Sequence, residues 1–173
     1  MTVSATRRRA LFAAPALLGI AALAPAMLRS GAAFAATGDE YVKLTLEGGT
    51  FLLKTSEMAE TKAQSPLLKE FAQLEIGEQK AVAAVLKSTG VEPPAGVDGE
   101  EKVAMDKLME LEGEAFDKAY LEAQIAGHRE ALAIQQEMAA MTEITVLVTV
   151  AKLGEESIKS HLAMLDMISK QMM

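Results

Sequence analysis

The 173-residue chain contains no cysteine and no tryptophan, and aromatic residues make up only 4% of it. Without cysteine it can form no disulfide, zinc–thiolate site or iron–sulfur cluster. Serine is present, but none lies in a Gly-x-Ser-x-Gly setting. Ser160 and His161 are neighbours in sequence, and neighbours on a helix point about 100 degrees apart. The sequence therefore offers no catalytic triad.

Basic charge is scarce outside the first thirty residues. The formal net charge is −7, although the first four arginines precede every acidic residue. Without those four arginines, 24 acidic residues face 13 basic residues, which is a net charge of −11. Because phosphate backbones and anionic lipids are bound by basic surfaces, we expect neither nucleic acid nor an anionic membrane surface as a partner.

Residues 1–35 have the features of an export signal. Arg7-Arg8-Arg9 provide a basic start, residues 10–28 are apolar and interrupted by two prolines, and Ala33-Phe34-Ala35 places small residues where a signal peptidase cuts. Consecutive arginines followed by Ala-Leu-Phe resemble a twin-arginine export signal. We expect a cleaved twin-arginine-like signal peptide and a periplasmic or otherwise exported protein.

Two other interpretations of this segment are open. One is an ordinary secretion signal that happens to contain three arginines. The other is an uncleaved membrane anchor, since the apolar run is close to the roughly 20 residues that a span requires. The prolines and the Ala-rich exit favour cleavage before Ala36, so that residues 36–173 form the folded domain without a transmembrane segment.

Strong helix formers dominate residues 36–173, and apolar residues recur at steps of three and four. The pattern predicts helices over Asp39–Ala63, from Pro66 to a stop at Gly90, over Glu100–Glu112, from Phe116 to about Met141, and from a capping Thr142 to the C-terminal region. Four of these are long and one is short, and their links are short except for the Pro/Gly-rich crossing 91–99. An antiparallel four-helix bundle with one shorter additional helix packs such elements.

Two stretches leave the local structure open. Gly48-Gly49 in the first helix marks either a kink or a close approach of another helix. The β-branched run TVLVTV at 145–150 would suit a strand in isolation, but its flanking helical period favours a helix.

Polar residues lie on the inward stripes of three predicted helices. The stripe of the second helix passes through 68, 71, 75, 78, 82 and 85, so it includes Glu75 and Glu78, with Gln79 beside them. His128 lies on the inward side of the stretch Phe116–Leu132, and His161 lies on the face of the last helix. Because buried carboxylates are costly unless they are paired or bound, these residues are the candidate site.

Three stretches carry a family resemblance: GGTFLLKTSEMAETKAQSPLLKEFAQLEIGEQ at 48–79, FDKAYLEAQIAGHREAL at 116–132 and IKSHLAML at 158–165. With them the chain resembles domain-of-unknown-function family 4142, exported ferritin-like bundle proteins of bacteria that are often labelled outer membrane proteins. The resemblance implies a ferritin-like four-helix bundle, a bacterial envelope location with any membrane association peripheral, and a role in stress tolerance. Members of the family have no agreed biochemical activity, so the resemblance predicts none for this chain.

The chain departs from that family at positions that concern the site. Members commonly carry glutamate where this chain has Leu52, and an Asp-His pair where it has Glu78-Gln79. His128 and His161 are kept. A polar cluster shared by the family would therefore be half present here.

The candidate residues support a metal hypothesis and a structural alternative. Glu78, His128 and His161, with Glu75 and Gln79 as further candidates, could hold a single Fe, Mn or Zn ion, because imidazole and carboxylate suit these metals. An intact di-metal oxidase would use Glu-x-x-His pairs, and the chain has none, so such a site would be vestigial. Alternatively, these side chains hydrogen-bond to one another as a buried polar layer.

Two further chemistries have some support in the sequence. His161, Met164 and Met167 have a spacing that would suit copper(I), and Met138 and Met141 repeat that spacing. Methionine is also the ordinary gap-filler of helix cores, and the chain has eleven. Glu75 and Glu78 could act as a general acid and base, but no pattern indicates a substrate pocket. The sequence thus predicts an exported helical bundle of unknown, non-catalytic activity, with metal binding as the alternative.

Overall fold

The computed structural model describes residues 38–142 and 145–172, and it is all-helical over these residues. It contains α1 (Gly38–Lys62), α2 (Pro66–Lys87), α3 (Gly99–Glu110), α4 (Gly113–Ala139) and α5 (Val146–Met172). The signal peptide expected at 1–35 lies outside the described residues. Within the described ranges, no helix combines the length and the hydropathy that crossing a membrane would require.

The helix starts follow from capping chemistry. Ser65 precedes α2 and accepts a hydrogen bond from the Leu68 N–H at 3.4 Å, with proline in the first turn. The cap expected at Thr142 for the last helix is wrong. α5 begins at Val146, and the hydroxyl of Thr145 accepts the Val148 N–H at 3.2 Å, because a capping side chain has to stand directly before the first helical residue. The β-branched residues at 146–150 are helical, as expected.

Two hydrophobic clusters occupy opposite ends of the helices. The first contains Ala59, Leu68, Phe116 and Leu165 among its members. The second contains Tyr41, Leu86, Met138 and Val148 among its members. The first cluster therefore contains residues from the C-terminal halves of α1 and α5 and from the N-terminal halves of α2 and α4. The second cluster contains residues from the N-terminal halves of α1 and α5 and from the C-terminal halves of α2 and α4. It follows that α1 and α5 run in one direction, whereas α2 and α4 run in the other.

The connection from α2 to α4 runs along the whole length of the helices. α2 ends beside the second cluster and α4 begins in the first, so residues 88–112, including α3, bridge the distance. α3 is held by Leu108, which is part of the first cluster. Lys62 at the end of α1 also holds it, because Lys62 donates to the Met109 carbonyl at 2.7 Å and pairs with Glu112 at 3.0 Å. The long crossing expected around 91–99 belongs to this connection.

Asp117 of α4 fixes the turn between α1 and α2. Its buried carboxylate accepts the backbone N–H of Gln64 at 2.9 Å and that of Ser65 at 2.7 Å. Charge-assisted bonds to backbone donors are among the stronger hydrogen bonds. The aspartate of the Phe-Asp-x-x-Tyr stretch thus has a structural role.

The inward stripe of α2 differs from the expected one at its end. Val85, expected inward, is 44% exposed, and Leu86 is fully buried instead. Five turns of a straight helix occupy 18 residues, so the residue directly in line with Leu68 is Leu86. The expected stripe advanced by about 3.4 residues per turn and drifted off the buried face.

Candidate metal site

Three polar side chains from α2, α4 and α5 meet between the two hydrophobic clusters. Glu75 and His128 are 0% and 1% exposed, and His161 is 12% exposed. Oε2 of Glu75 lies 3.2 Å from Nε2 of His128 and 3.0 Å from Nδ1 of His161. The two ring nitrogens are 3.1 Å apart. These three atoms, called the ligand triangle below, form a nearly equilateral arrangement.

The edges of the ligand triangle match the spacing of metal ligands. An ion with bonds of about 2.1 Å holds neighbouring ligand atoms about 3.0 Å apart in octahedral geometry and about 3.4 Å apart in tetrahedral geometry. The observed edges of 3.0, 3.1 and 3.2 Å fall in this interval. Glu75, His128 and His161 thus form a buried group that could hold a metal ion.

A backbone carbonyl orients the ring of His128. Nδ1 lies 2.8 Å from the carbonyl oxygen of Gln124, one turn earlier on α4. Because a carbonyl can only accept, Nδ1 carries a proton. Nε2 faces the carboxylate of Glu75 and Nδ1 of His161, where it can donate a second proton to Glu75 or offer its lone pair to a metal ion. Such an arrangement needs a cation between the three atoms, either a proton or a metal ion.

Gln79 orients the carboxylate of Glu75. Its Nε2 donates to Oε1 of Glu75 at 2.8 Å, which leaves Oε2 for the histidines. The oxygen of the same amide lies against α1, where a Cβ atom on Gly49 would be 2.5 Å from it. The Gly48-Gly49 pair, which left a kink and a close approach open, therefore includes a close approach at Gly49.

Glu78 lies at the outer nitrogen of His161 and not in the ligand triangle. Its Oε2 is 3.4 Å from Nε2 of His161. The hydroxyl of Ser157, one turn before His161 on α5, lies 2.8 Å from each carboxylate oxygen of Glu78. Of the two carboxylates singled out from the sequence, the structure places Glu75 between the histidines and Glu78 behind one of them.

The electrostatics of the triangle shift two pKa values. Burial alone would raise the pKa of Glu75, but hydrogen bonds from His128 and His161 outweigh burial and lower the pKa to about 2. Burial likewise opposes the charged form of His161. The hydrogen bond to Glu75 and the charges of Glu75 and Glu78 more than offset it and raise the pKa of His161. In the absence of a metal ion, the triangle thus favours a carboxylate beside a protonated imidazole.

Apolar residues close the site on two sides. The ring of Phe71 packs against both imidazoles, with centroid distances of 5.8 Å to His128 and 5.5 Å to His161. On α1, Leu52 is buried and lies so close to α4 that a Cβ atom on Gly127 would be 2.8 Å from its Cδ2. At this position on α1 the chain therefore presents a methyl group.

A second polar group between α1 and α4 was not singled out from the sequence. The amide nitrogen of Gln124 donates to Thr55 at 2.8 Å, and Ser56 is hydrogen-bonded to the hydroxyl of Tyr120 at 2.9 Å. Burial raises the pKa of Tyr120. Tyr120, Gln124 and His128 follow one another at steps of four. This spacing would have placed them on one helix face.

The methionines of the copper hypothesis have unlike surroundings. Met164 is partly buried against the first hydrophobic cluster, whereas Met167 is 56% exposed. Met138 is buried in the second cluster, and Met141 is exposed. Packing accounts for the two that are covered.

Comparison with known proteins gives a family and no closer relative. A family model described as "Domain of unknown function (DUF4142)" matches residues 23–168. Searches of the curated proteins and of the solved structures find no match. The matched range contains all the residues of the ligand triangle, and it covers most of the 173 residues. The chain therefore belongs to the DUF4142 family.

Proposed function

We propose that the protein binds one divalent metal ion through Glu75, His128 and His161. One observation carries the proposal: each of the three ligands has an outer polar partner, which is a hydrogen bond for Glu75 and for His128 and an ion-pair contact of 3.4 Å for His161. The pairs are Gln79 with Glu75, the Gln124 carbonyl with His128, and Glu78 with His161. Metal-binding histidines almost always have their second nitrogen bonded to a carboxylate or a backbone carbonyl, and ligating carboxylates are hydrogen-bonded in turn.

The donor set favours iron(II), manganese(II) or zinc(II). Two imidazole nitrogens and one carboxylate oxygen are ligands of intermediate to hard character, and two histidines with one carboxylate are the ligands of non-haem iron sites with open positions. Copper(I) would prefer thiolates or thioethers. The protein has no cysteine, so it offers no thiolate.

The donor set supports one ion and not two. A di-metal site in a helical bundle uses further carboxylates and Glu-x-x-His pairs. Leu52 of α1 is apolar, and Gln79 is neutral and donates to Glu75. The site is therefore proposed as a single-ion remnant of a di-metal arrangement, without an assigned reaction.

The setting of this site is proposed as an exported ferritin-like four-helix bundle. The helix directions, with α1 and α5 running one way and α2 and α4 the other, and the long connection between α2 and α4 support that architecture, since ferritin-like bundles have one such crossover. The arginines and the apolar run within residues 1–35 support export to the bacterial envelope. A role in envelope stress tolerance is the expectation that accompanies the family resemblance.

A purely structural polar layer is the competing proposal. It is favoured by the raised pKa of His161 and the lowered pKa of Glu75, since a proton on Nδ1 of His161 can satisfy both Glu75 and Nε2 of His128. In that case the triangle holds α2, α4 and α5 in register, as buried polar networks can do. The two proposals differ in whether the purified protein takes up a metal ion.

Elemental analysis and titration of the purified protein decide between them. We expect about one equivalent of iron, manganese or zinc per chain, as a three-ligand site implies, and its loss in His128→Ala and His161→Ala. Glu70→Gln is a matched control, because Glu70 is an exposed carboxylate of α2 away from the triangle. It should keep the full equivalent.

Two results would contradict metal binding at this site. The first is a parent protein with no metal above background after titration with all three ions. The second is equal uptake by the parent and by both histidine variants, which would assign the uptake to the acidic surface.

A further inference from the structure

Exposure increases stepwise from the α4 side of the site to one edge, here called the α2–α5 edge, formed by Glu75, Glu78, Ser157 and His161. The side chains of Glu75 and His128 are 0% and 1% exposed, that of His161 is 12% exposed, and that of Glu78 is 31% exposed. Ser157 beside Glu78 is partly buried. Among Glu75, His128, His161 and Glu78, the side chain of Glu78 is thus the most exposed to water.

The other sides of the site are closed by helix packing. α1 packs closely against α2 and α4, and α4 packs closely against α5. The backbones of α2 and α5 lack such close packing, and side chains join them instead, through Glu75 with His161 and Glu78 with Ser157. Leu52 and the ring of Phe71 add apolar walls. A hydrated ion therefore meets the least obstruction at the α2–α5 edge.

We propose that Glu78 is the capture carboxylate of the site, which a hydrated divalent cation binds first before it moves past His161 to the ligand triangle. This inference rests on the proposed metal binding. The hydroxyl of Ser157, 2.8 Å from both carboxylate oxygens, holds Glu78 beside His161. Its charge stands at the most exposed side of the site, and such charge raises the local concentration and the association rate of an oppositely charged ligand.

Two roles of Glu78 can be separated by kinetics. As an outer partner of His161, its charge stabilises the bound state, and its loss accelerates dissociation of the ion. As a capture group, its charge acts before the ion is bound, and its loss slows association. Affinity alone does not distinguish the two, whereas the separate rate constants do.

Stopped-flow mixing of the metal-free protein with Co²⁺, followed by the visible absorption of the bound ion, measures both rates. We expect Glu78→Gln to reduce the association rate constant about tenfold at low ionic strength. The dependence of this constant on salt should also weaken, because the steering charge is gone. Glu70→Gln makes the same charge change two turns away on α2 and should stay within about twofold of the parent.

Ser157→Ala tests whether the charge or the local geometry matters. It removes the hydroxyl contact and keeps the carboxylate, so its association rate constant should stay within about threefold of the parent. An unchanged association rate in Glu78→Gln, with all of the loss in dissociation, would overturn the capture role. A parent that binds no Co²⁺, Fe²⁺, Mn²⁺ or Zn²⁺ would instead refute the proposed function.

Discussion

Gly49 of α1 lies so close to Gln79 of α2 that a Cβ atom on the glycine would come within 2.5 Å of the amide oxygen of the glutamine. The nitrogen of that amide holds the carboxylate of Glu75 at 2.8 Å. The absence of a side chain at one position on α1 is therefore connected to the orientation of a proposed metal ligand on α2.

Gly49→Ala should weaken metal binding, with Gly48→Ala as its neighbouring control. The new methyl group would displace the Gln79 side chain and leave Glu75 without its outer partner, and such losses cost about 10- to 100-fold in metal affinity. A Cβ atom on Gly48 meets nothing within 4 Å, so Gly48→Ala should stabilise the helix by about 1 kcal/mol and keep the affinity. Isothermal titration and urea unfolding measure the two effects. Equal metal affinities in both variants would show that Gln79 does not contribute to metal binding.

His128→Leu should abolish metal binding while the protein stays folded. Removal of one partner of a buried ion pair is strongly destabilising when it leaves the other charge uncompensated, but Glu75 keeps its contacts with His161 and Gln79 in this variant. The parent should gain about 2.7 kcal/mol of stability at a free metal concentration of 100 times Kd, and the variant should gain none. Thermal unfolding with metal and with a chelator provides the measurement. The same metal-induced rise in Tm in both proteins would exclude His128 as a ligand.

The stability of the metal-free protein should depend on pH through both members of the Glu75–His161 pair. The pKa of Glu75 is lowered from 4.5 to about 2, so its contribution is present above about 4.5 and is lost as the pH falls towards about 2. The loss is on the order of 3 kcal/mol. The pKa of His161 is raised, so its contribution is present below its ordinary value and is lost as the pH rises through the raised value.

Urea unfolding in a chelator across the pH range measures these contributions. In Glu75→Gln the acidic loss should shrink relative to the parent, and in His161→Gln the loss at higher pH should shrink. Metal affinity should follow the opposite trend on the His161 side, because the ion and the proton compete for Nδ1. Stability curves of the parent and of both variants that run parallel over the whole range would rule out the pair as a source of pH dependence.

Asp117→Ala should destabilise the protein by about 2–4 kcal/mol, since two backbone N–H groups at the α1–α2 turn would lose their charged acceptor. Asp106→Ala is the matched control. Asp106 makes an exposed ion pair with Lys102 on α3, and removal of such a pair costs less than about 1 kcal/mol. Urea unfolding compares the two. A loss of stability in Asp117→Ala no larger than that in Asp106→Ala would refute the role of Asp117 in fixing the turn.

Export by the twin-arginine route should require the consecutive arginines. Replacement of Arg7, Arg8 and Arg9 by lysine keeps the positive charge and removes the arginine pair, so precursor should accumulate inside the cell. An Arg29→Lys variant, beyond the apolar run, is the control and should be exported normally. Cell fractionation with immunoblotting measures the distribution. Normal export of the triple variant would favour an ordinary secretion signal.

The helices and the inward direction of His128 could be predicted from the sequence because they depend on periodicity and on capping residues. The start of α2 follows from Ser65-Pro66, whereas α4 begins at Gly113, three residues before the predicted start at Phe116. The inward position of His128 is confirmed, since the side chain is buried. These features are local, and a single helix determines them.

Periodicity could not predict which of Glu75 and Glu78 lies in the ligand triangle. Both lie near the inward stripe of α2, one turn apart, and only the packing of α5 against α2 decides which of them reaches Nδ1 of His161. The partners Gln124 and Ser157 were missed for a related reason. A backbone carbonyl carries no signature in the sequence, and a serine one turn from a histidine is common.

The ligand triangle joins parts of the chain that are far apart in sequence. His128 is 53 residues from Glu75 and 33 residues from His161. Glu75 belongs to the pair α1–α2, and both histidines belong to the pair α4–α5. A bound ion would act as a removable cross-link that closes two long segments of the chain, from Glu75 to His128 and from His128 to His161. Closure of such long segments lowers the entropy of the unfolded chain. The two helix pairs should then separate more slowly with metal than without it, and amide hydrogens along the α2–α5 edge should exchange more slowly to the same extent.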